Sequence, residues 1–401
     1  MVGIQKGATP SSLRRTNERN IIGLLLRLGT ASRADLAKAA GMSQPTAGKI
    51  TSALLDLGIL QETEDEVLPA TRRAPTPARV GRPGRLLRLN ADRPRFLAIE
   101  LGVDRTHLAA LPISFGCDGR WTQSFATPDS AAQWQAQLRR AAAKFGRGKL
   151  WGVLISVPGI VDENAGTVLF SPNLHWTEKV NLPELVQSIW PVPALLVQEI
   201  RALALGHLAA EPQSEDFLLV DFGAGVGGAI VESGRLFSSP LPLNGEFGHT
   251  PVPGNTRACG CGGRGCVETL VSEKGLLESF AASGPAGGKD WAALIHHLEQ
   301  RGVPVWLKKS LDAAAATIAG GLNMLGLNEV IITGTLAGLP PAAVDYLSSA
   351  IRRGAMWARF GEINIRSAPR RRAAGLVVVG IDRLLVPSHL AEEVASVATP
   401  A

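Results

Sequence analysis

Cysteine is scarce in this chain: four residues in 401, too few to staple a disulfide scaffold. Apolar runs are short. The longest, such as 373–381, fall far below the ~20 residues that span a bilayer. Residues 1–20 lack the apolar segment of a secretory signal. Together these absences predict a soluble, cytoplasmic protein with no membrane partner. Global disorder is excluded too, because 45% of the chain is apolar, ample for sizeable cores. The length suits two or three domains.

An excess of acid is also missing. The formal net charge is +6, and it is unevenly spread. Residues 1–90 hold 14 Lys and Arg against 7 Asp and Glu, leaving 27 against 28 for the rest. A basic arm of +7 therefore precedes a body of −1. Such an arm fits a nucleic-acid partner, or an Arg-rich solvated surface. The near-neutral body suits an uncharged ligand.

In the arm, Ile21, Ile22, Leu24, Leu25 and Leu28 form an apolar stripe. It predicts a helix over 12–28, stopped by Gly29. Ser32 caps a short helix ending at Ala40, and Gly41 supplies a turn. Ser43 caps a third helix reaching Leu57, with Pro45 in its first turn. Helix, glycine turn, helix is the helix-turn-helix pattern, which an ordinary three-helix bundle shares. Residues 59–61 and 86–90 read as two strands of a wing, which favours the former. The third helix would then meet double-stranded DNA through Ser43, Gln44, Thr46 and Lys49, opposite its apolar face. Val80-Gly81-Arg82-Pro83-Gly84-Arg85 is similar to an AT-hook core, with Val80 where that core has Arg. It makes Arg82 and Arg85 minor-groove candidates, and it also reads as a linker turn.

From residue 95 strand and helix patterns alternate. Strands are predicted at 96–101, 107–113, 150–157, 194–197, 217–222, 228–232, 330–333 and 363–367. Helices are predicted at 131–145, 182–189, 201–210, 307–325, 342–354 and, last, 373–385. This is an α/β body with mixed sheets, large enough for two lobes and a cleft. Gly223-Ala224-Gly225-Val226-Gly227-Gly228 contains Gly-x-Gly-x-x-Gly. The dinucleotide fingerprint needs a helix next. Residues 229–236 instead read as strand, turn, strand, so the glycines fit a hairpin pressed against a ligand or another backbone.

His249 is followed ten residues later by Cys259-x-Cys261-x4-Cys266. Three thiolates and one imidazole are the donor set of a structural zinc site. Gly260, Gly262, Gly263 and Gly265 let the loop wrap an ion. Cys117 stands alone and reads as a small core residue.

These motifs resemble the ROK family of bacterial sugar-responsive repressors and sugar kinases, over nearly all of residues 12–385. The most specific parts are Gly245-Glu246-Phe247-Gly248-His249, the run from Cys259 to Glu268, Val157-Pro158-Gly159-Ile160-Val161-Asp162, and Ser171-Pro172-Asn173-Leu174. The resemblance implies a two-lobed, actin-like sugar-kinase body behind a winged helix-turn-helix. It also implies zinc at His249, Cys259, Cys261 and Cys266, and assembly into a homodimer or homotetramer. The expected organisation is a winged helix-turn-helix over 1–75 and a wing and linker over 76–94. A first lobe follows over 95–200, and a second over 201–385 with the zinc loop at 245–268. The closing helix 373–385 can return to the first lobe, and 386–401 is a tail.

The kinase branch of that family carries Asp-x-Gly-Gly-Thr after its first strand, where this chain has Glu100-Leu101-Gly102-Val103-Asp104. Val103 blocks close approach of a phosphate, and Asp104 repels it. The second phosphate loop, Gly-Thr-Gly, is Gly223-Ala224-Gly225 and has lost its hydroxyl. The catalytic Asn-Asp pair aligns with Gln198-Glu199, whose longer carboxylate arm is misplaced for proton abstraction. These departures imply that the chain is not an enzyme. Sugar contacts implied by the resemblance are Gly159, Asn173, Gln198, Glu199, Glu246, His249 and Glu268. The expected function is a sugar-responsive regulator, a repressor whose operator affinity changes when a sugar enters the interlobe cleft. Two alternatives stand beside it: an ATP-dependent sugar kinase with a DNA-binding arm, and a regulator answering a protein partner with a vestigial sugar site.

Overall fold

The computed structural model describes residues 10–64, 85–114, 121–145, 150–239, 241, 243–284 and 290–385. Cys117, Arg82 and the predicted tail lie outside the described residues, as do residues 76–84 of the segment 76–94.

The arm comprises α1 (Pro10–Leu28), β1 (Thr30–Ser32), α2 (Arg33–Ala39), α3 (Gln44–Asp56), β2 (Leu60–Thr63) and β3 (Leu86–Leu89). Its caps are the ones the sequence supplies. The Ser32 hydroxyl accepts the Asp35 N–H and the Ser43 hydroxyl accepts the Thr46 N–H, satisfying orphan donors of the first turns. Gly41 sits at φ +64°, where its lack of a Cβ permits the turn between α2 and α3. Leu36 and Ala37 of α2 and Ala47, Ile50 and Leu54 of α3 are buried against Ile21, Ile22 and Leu25 of α1. The strands form an antiparallel sheet in the order β1-β3-β2. Three helices with a three-stranded wing make a winged helix. The short strand β1 escaped the sequence reading because three residues carry no periodicity.

The body holds two five-stranded sheets. The first is built from β4 (Phe96–Leu101), β5 (Arg105–Leu111), β6 (Gln123–Ala126), β7 (Gly152–Val157) and β10 (Ala194–Gln198), in the order β10-β7-β4-β5-β6. Between them lie α4 (Ala131–Ala142), a small hairpin β8 (Ile160–Asp162) and β9 (Thr167–Phe170), and α5 (Leu182–Gln187). Helix α6 (Glu199–Ala210) leads to the second sheet, made of β11 (Phe217–Phe222), β12 (Val226–Glu232), β13 (Arg235–Leu236), β14 (Glu329–Gly334) and β15 (Asn364–Ser367). Its order is β13-β12-β11-β14-β15. Helices α7 (Glu268–Val271), α8 (Glu273–Ala282), α9 (Trp291–Arg301), α10 (Val305–Leu325), α11 (Pro341–Gly354) and α12 (Arg372–Gly380) complete the chain.

The two sheets share one topology. In each, three antiparallel strands form a meander, and two later strands add in parallel beside the first. Strand β4 thus corresponds to β11, and β7 to β14. Central strands β4, β7, β11 and β14 are almost wholly apolar and buried, as strands covered on both faces require. The sequence patterns located the central strands but missed β6, β8 and β9, which are short. Helices α7, α8 and α9 also went unread.

Two predicted boundaries are corrected. Helix α6 begins at Glu199, not 201, so Glu199 sits in its first turn. The closing helix ends at Gly380, and residues Ile381–Leu385 form a wider π-turn. Helix α12 packs on α6 and on β4 and β7 of the first sheet. Two glycines make that helix pair close. A Cβ at Gly375 would lie 1.7 Å from the Ala202 carbonyl oxygen, and one at Gly206 1.8 Å from that of Arg371. One apolar cluster runs from Ile21 and Ile22 of α1 through Phe96 and Leu154 to Val377, Ile381 and Leu384. Arm and body therefore share a core.

Candidate functional site

The turns β4–β5 and β11–β12, the β8–β9 hairpin and the start of α6 surround a cavity of about 530 Å³. Its volume suits a small ligand. All seven predicted sugar contacts line it, as do Val103, Asp104 and Ala224. Gly159 holds φ +106°, and a Cβ there would meet the Phe170 carbonyl oxygen at 2.4 Å. Only glycine fits that wall.

The side chains divide into two groups. On one side stand Asn173, Glu246, His249 and Glu268. His249 Nε2 lies 3.7 Å from Glu246 Oε2. Burial pushes the Glu246 carboxyl above the usual carboxylate range; His249 opposes that shift and Glu268 adds to it. Glu268 is fixed by the Val226 N–H, which donates to its Oε2 at 2.9 Å. Its other oxygen lies 3.9 Å from Cys259 Sγ.

On the other side both arginines are already paired. Arg370 donates from Nε and Nη2 to the two oxygens of Asp221, at 2.7 and 2.9 Å. It donates also to the Phe222 carbonyl. A Cβ on Gly223 would sit 2.5 Å from Arg370 Nη2, so the guanidinium fills the space against the Gly223-Ala224-Gly225 turn. Arg372 is buried and donates to Glu100 and to Glu199. Burial raises the Glu199 carboxyl, and Arg372 is its chief counterweight. Gln198 donates from its amide to the Gly159 carbonyl at 3.0 Å. Gln198 and Glu199 are thus engaged within the protein. Sequence reasoning missed Arg370 and Arg372. The available signal was the run Arg370-Arg371-Arg372 placed directly before a buried apolar helix.

Below the first group lies the thiol cluster. One ligand atom each from His249, Cys259, Cys261 and Cys266 all fall within 4.8 Å of one another. His249 Nδ1 faces Cys259 Sγ at 3.5 Å, and Cys261 Sγ faces Cys266 Sγ at 3.7 Å. A tetrahedron with ~2.3 Å metal–sulfur bonds has edges of ~3.8 Å, so the set could hold a metal ion. Burial pushes the Cys259 thiol up to about 12. A buried thiol is a poor anion, and a cation among these sulfurs reverses that tendency. Gly265, at φ +78°, lets the loop turn beneath the Asn255 carbonyl. Arg257, unread in the sequence, ties the loop to the Thr269 and Gly275 carbonyls and to Ser279.

In the arm, Gln44 and Lys49 are exposed on α3. Ser43 and Thr46 bond to each other at 2.8 Å as part of the cap. Arg85 is exposed and pairs with Glu62, which also binds Arg33. The Arg85 guanidinium holds Glu62 below the usual carboxylate range.

A two-lobed cleft with a thiol loop at its floor, joined to a winged helix, defines a two-lobed α/β body behind an arm of helix-turn-helix type. Residues 97–377 match the ROK family model, and the chain belongs to the ROK family. It is 27% identical to the xylose repressor of Caldicellulosiruptor bescii over 277 residues, 66% of each chain. It is 28% identical to the N-acetylmannosamine kinase of Escherichia fergusonii over 280 residues, 65% of this chain and 94% of that one. The crystal structure of a ROK family transcriptional regulator, a homolog of the E. coli Mlc protein, superposes with a TM-score of 0.75 at 19% identity. That match covers 95% of this chain and 99% of the other, so it spans arm and body alike. Among the described residues no helix is long and apolar enough to cross a membrane.

Proposed function

We propose that this protein is a sugar-responsive, DNA-binding transcriptional repressor with no kinase activity. One observation carries the reading. The cleft keeps its hydroxyl-binding side chains open, while Arg370 and Arg372 occupy the side a nucleotide would need. Asn173, Glu246, His249 and Glu268 offer fixed donors and acceptors for sugar hydroxyls. A phosphate at the Gly223-Ala224-Gly225 turn would have to displace Arg370 from Asp221. The name of a xylose repressor among the relatives supports the same reading.

The effector is an uncharged sugar. Arg370 and Arg372 are neutralised by Asp221, Glu100 and Glu199, while Asp104, Glu246, Glu268 and Glu273 also line the cavity. Such a wall repels sugar phosphates. Zinc in the thiol loop would fix His249 and Glu268 beneath the sugar. Held by His249, Cys259, Cys261 and Cys266, it would supply cross-linking there, leaving the second His249 nitrogen for the cleft. In a dimer, two copies of α3 would meet two operator half-sites through Gln44, Thr46 and Lys49, with Arg82 and Arg85 beside the adjacent groove. The arm charge steers and holds the phosphates.

The deciding experiment uses DNA selected by the full-length protein from a random pool. Mobility shifts are then run with xylose, glucose, N-acetylglucosamine and their phosphates. A neutral sugar is expected to change the DNA affinity at least threefold. Sugar phosphorylation by ATP in a coupled assay, at rates typical of kinases, would overturn the reading.

A further inference from the structure

We infer that helix α12 is the rigid link between cleft and arm, with Arg372 at its cleft end and the Arg19–Asp382 contact at its other end. The inference rests on the regulator reading above and assigns the parts that make it work.

The cleft end touches both lobes. Arg370 grips Asp221 of the second sheet. Arg372, two residues on, grips Glu100 of the first sheet and Glu199 at the start of α6. Two residues of chain span at most ~7 Å. A change in lobe separation therefore cannot be absorbed between them: either one ion pair parts or α12 moves. The helix itself is nine residues, about 13 Å of rigid rise. It is seated on α6 without side-chain cushioning at Gly375 and Gly206, so it moves as a body.

The far end touches the arm. Arg19 of α1 binds Asp382 twice, through Nε to the carboxylate at 2.7 Å and through Nη2 to the backbone carbonyl at 3.0 Å. Arg383, next in line, pairs with Glu163. Glu163 also accepts from the Gln198 N–H and from Arg201, which returns the connection to the cleft. Apolar contact continues the path, since Ile381 and Leu384 share the cluster of Ile21, Ile22 and Leu25. Coupling needs such an element, biased by both sites.

The test measures, for full-length protein on its selected DNA, the ratio of DNA affinities without and with a saturating sugar from the panel, and sugar affinity by calorimetry. In Arg19→Ala the ratio is expected to fall at least threefold, with sugar affinity within twofold of wild type. Arg19→Asp with Asp382→Arg should recover the ratio. A wild-type ratio in both Arg19→Ala and Asp382→Ala overturns the link while leaving the function standing. If the wild type itself shows no ratio, the function fails, and hydrogen exchange without sugar judges the link. Altered protection of α1 amides in Glu199→Gln supports it, and unaltered protection in a folded variant overturns it.

Discussion

Glu100 and Asp221 occupy equivalent places in the two halves of the body. Each is the penultimate residue of the first strand of its sheet. Each stands in register with a hydroxyl residue of the parallel neighbour, Ser156 and Thr333 respectively. Each is held by an arginine of the 370–372 run. The symmetry of the sheets delivers two carboxylates to one cleft, and a single segment neutralises both.

Removing one charge of that arrangement should be costly. Asp221→Asn leaves Arg370 facing an amide in a half-buried site. The side chains are 35% and 11% exposed, between a solvated pair and a fully buried one, so a loss of about 2 kcal/mol is expected. Replacing both, as Asp221→Leu with Arg370→Met, should cost less than the single change. Urea denaturation of the three proteins checks the order; a double variant weaker than Asp221→Asn contradicts it.

The thiol loop predicts a metal-dependent stability. Purified protein should carry about one zinc per chain by elemental analysis, and Cys261→Ser should lose most of it. Metal that binds only the folded state at ~1,000 times its Kd adds roughly 4 kcal/mol. Chelation should therefore lower the melting temperature of the wild type and leave Cys261→Ser nearly unchanged. Equal chelator sensitivity in both would refute the assignment.

His207 makes stability depend on pH. It is buried on α6 with its ring edge on Phe217 and Nε2 at 3.2 Å from Arg366. Burial holds its pKa below the ordinary value of 6.5; Glu211 opposes this, and Arg366 and Arg371 reinforce it. The unfolded chain thus binds a proton that the folded chain refuses. The stabilisation is complete above about pH 6.5 and is lost as pH falls below it. Between about pH 7.5 and 5.5 the wild type should lose more stability than His207→Leu. Identical pH slopes in the two proteins would dismiss the role.

Lys49 is exposed near the middle of α3 and, among the described residues, has no side-chain bonding partner. Lys49→Ala should weaken binding to all sequences about equally and lower the salt slope of log K by about 1. Gln44→Ala should instead relax base preference at one position, by ~1–3 kcal/mol. Fluorescence anisotropy across a salt series separates the two effects. A change in base preference from Lys49→Ala would reverse the assigned roles.

Much of this is legible in the sequence alone. Ser32, Gly41 and Ser43 announced the arm because caps and turns are local chemistry. The cluster of His249, Cys259, Cys261 and Cys266 was legible because its members lie close in sequence. The Arg370–Asp221 and Arg372–Glu100 pairs were not, since 149 and 272 residues separate the partners and no periodicity marks them. The likeness of the two sheets was hidden for a related reason. Hydrogen-bond topology repeats where the side chains do not.

The arginine clamp also bears on how such a chain can change. Shortening Glu199 to Asp would not return a free proton acceptor, because Arg372 would still neutralise it. Removing Arg372 would leave Glu100 and Glu199 as half-buried, unmatched charges. Removing Arg370 would do the same to Asp221. Each such single substitution destabilises the fold before it changes the chemistry of the cleft. The ion pairs on this side of the cleft act as a ratchet, in which no single charge can be withdrawn without stranding another.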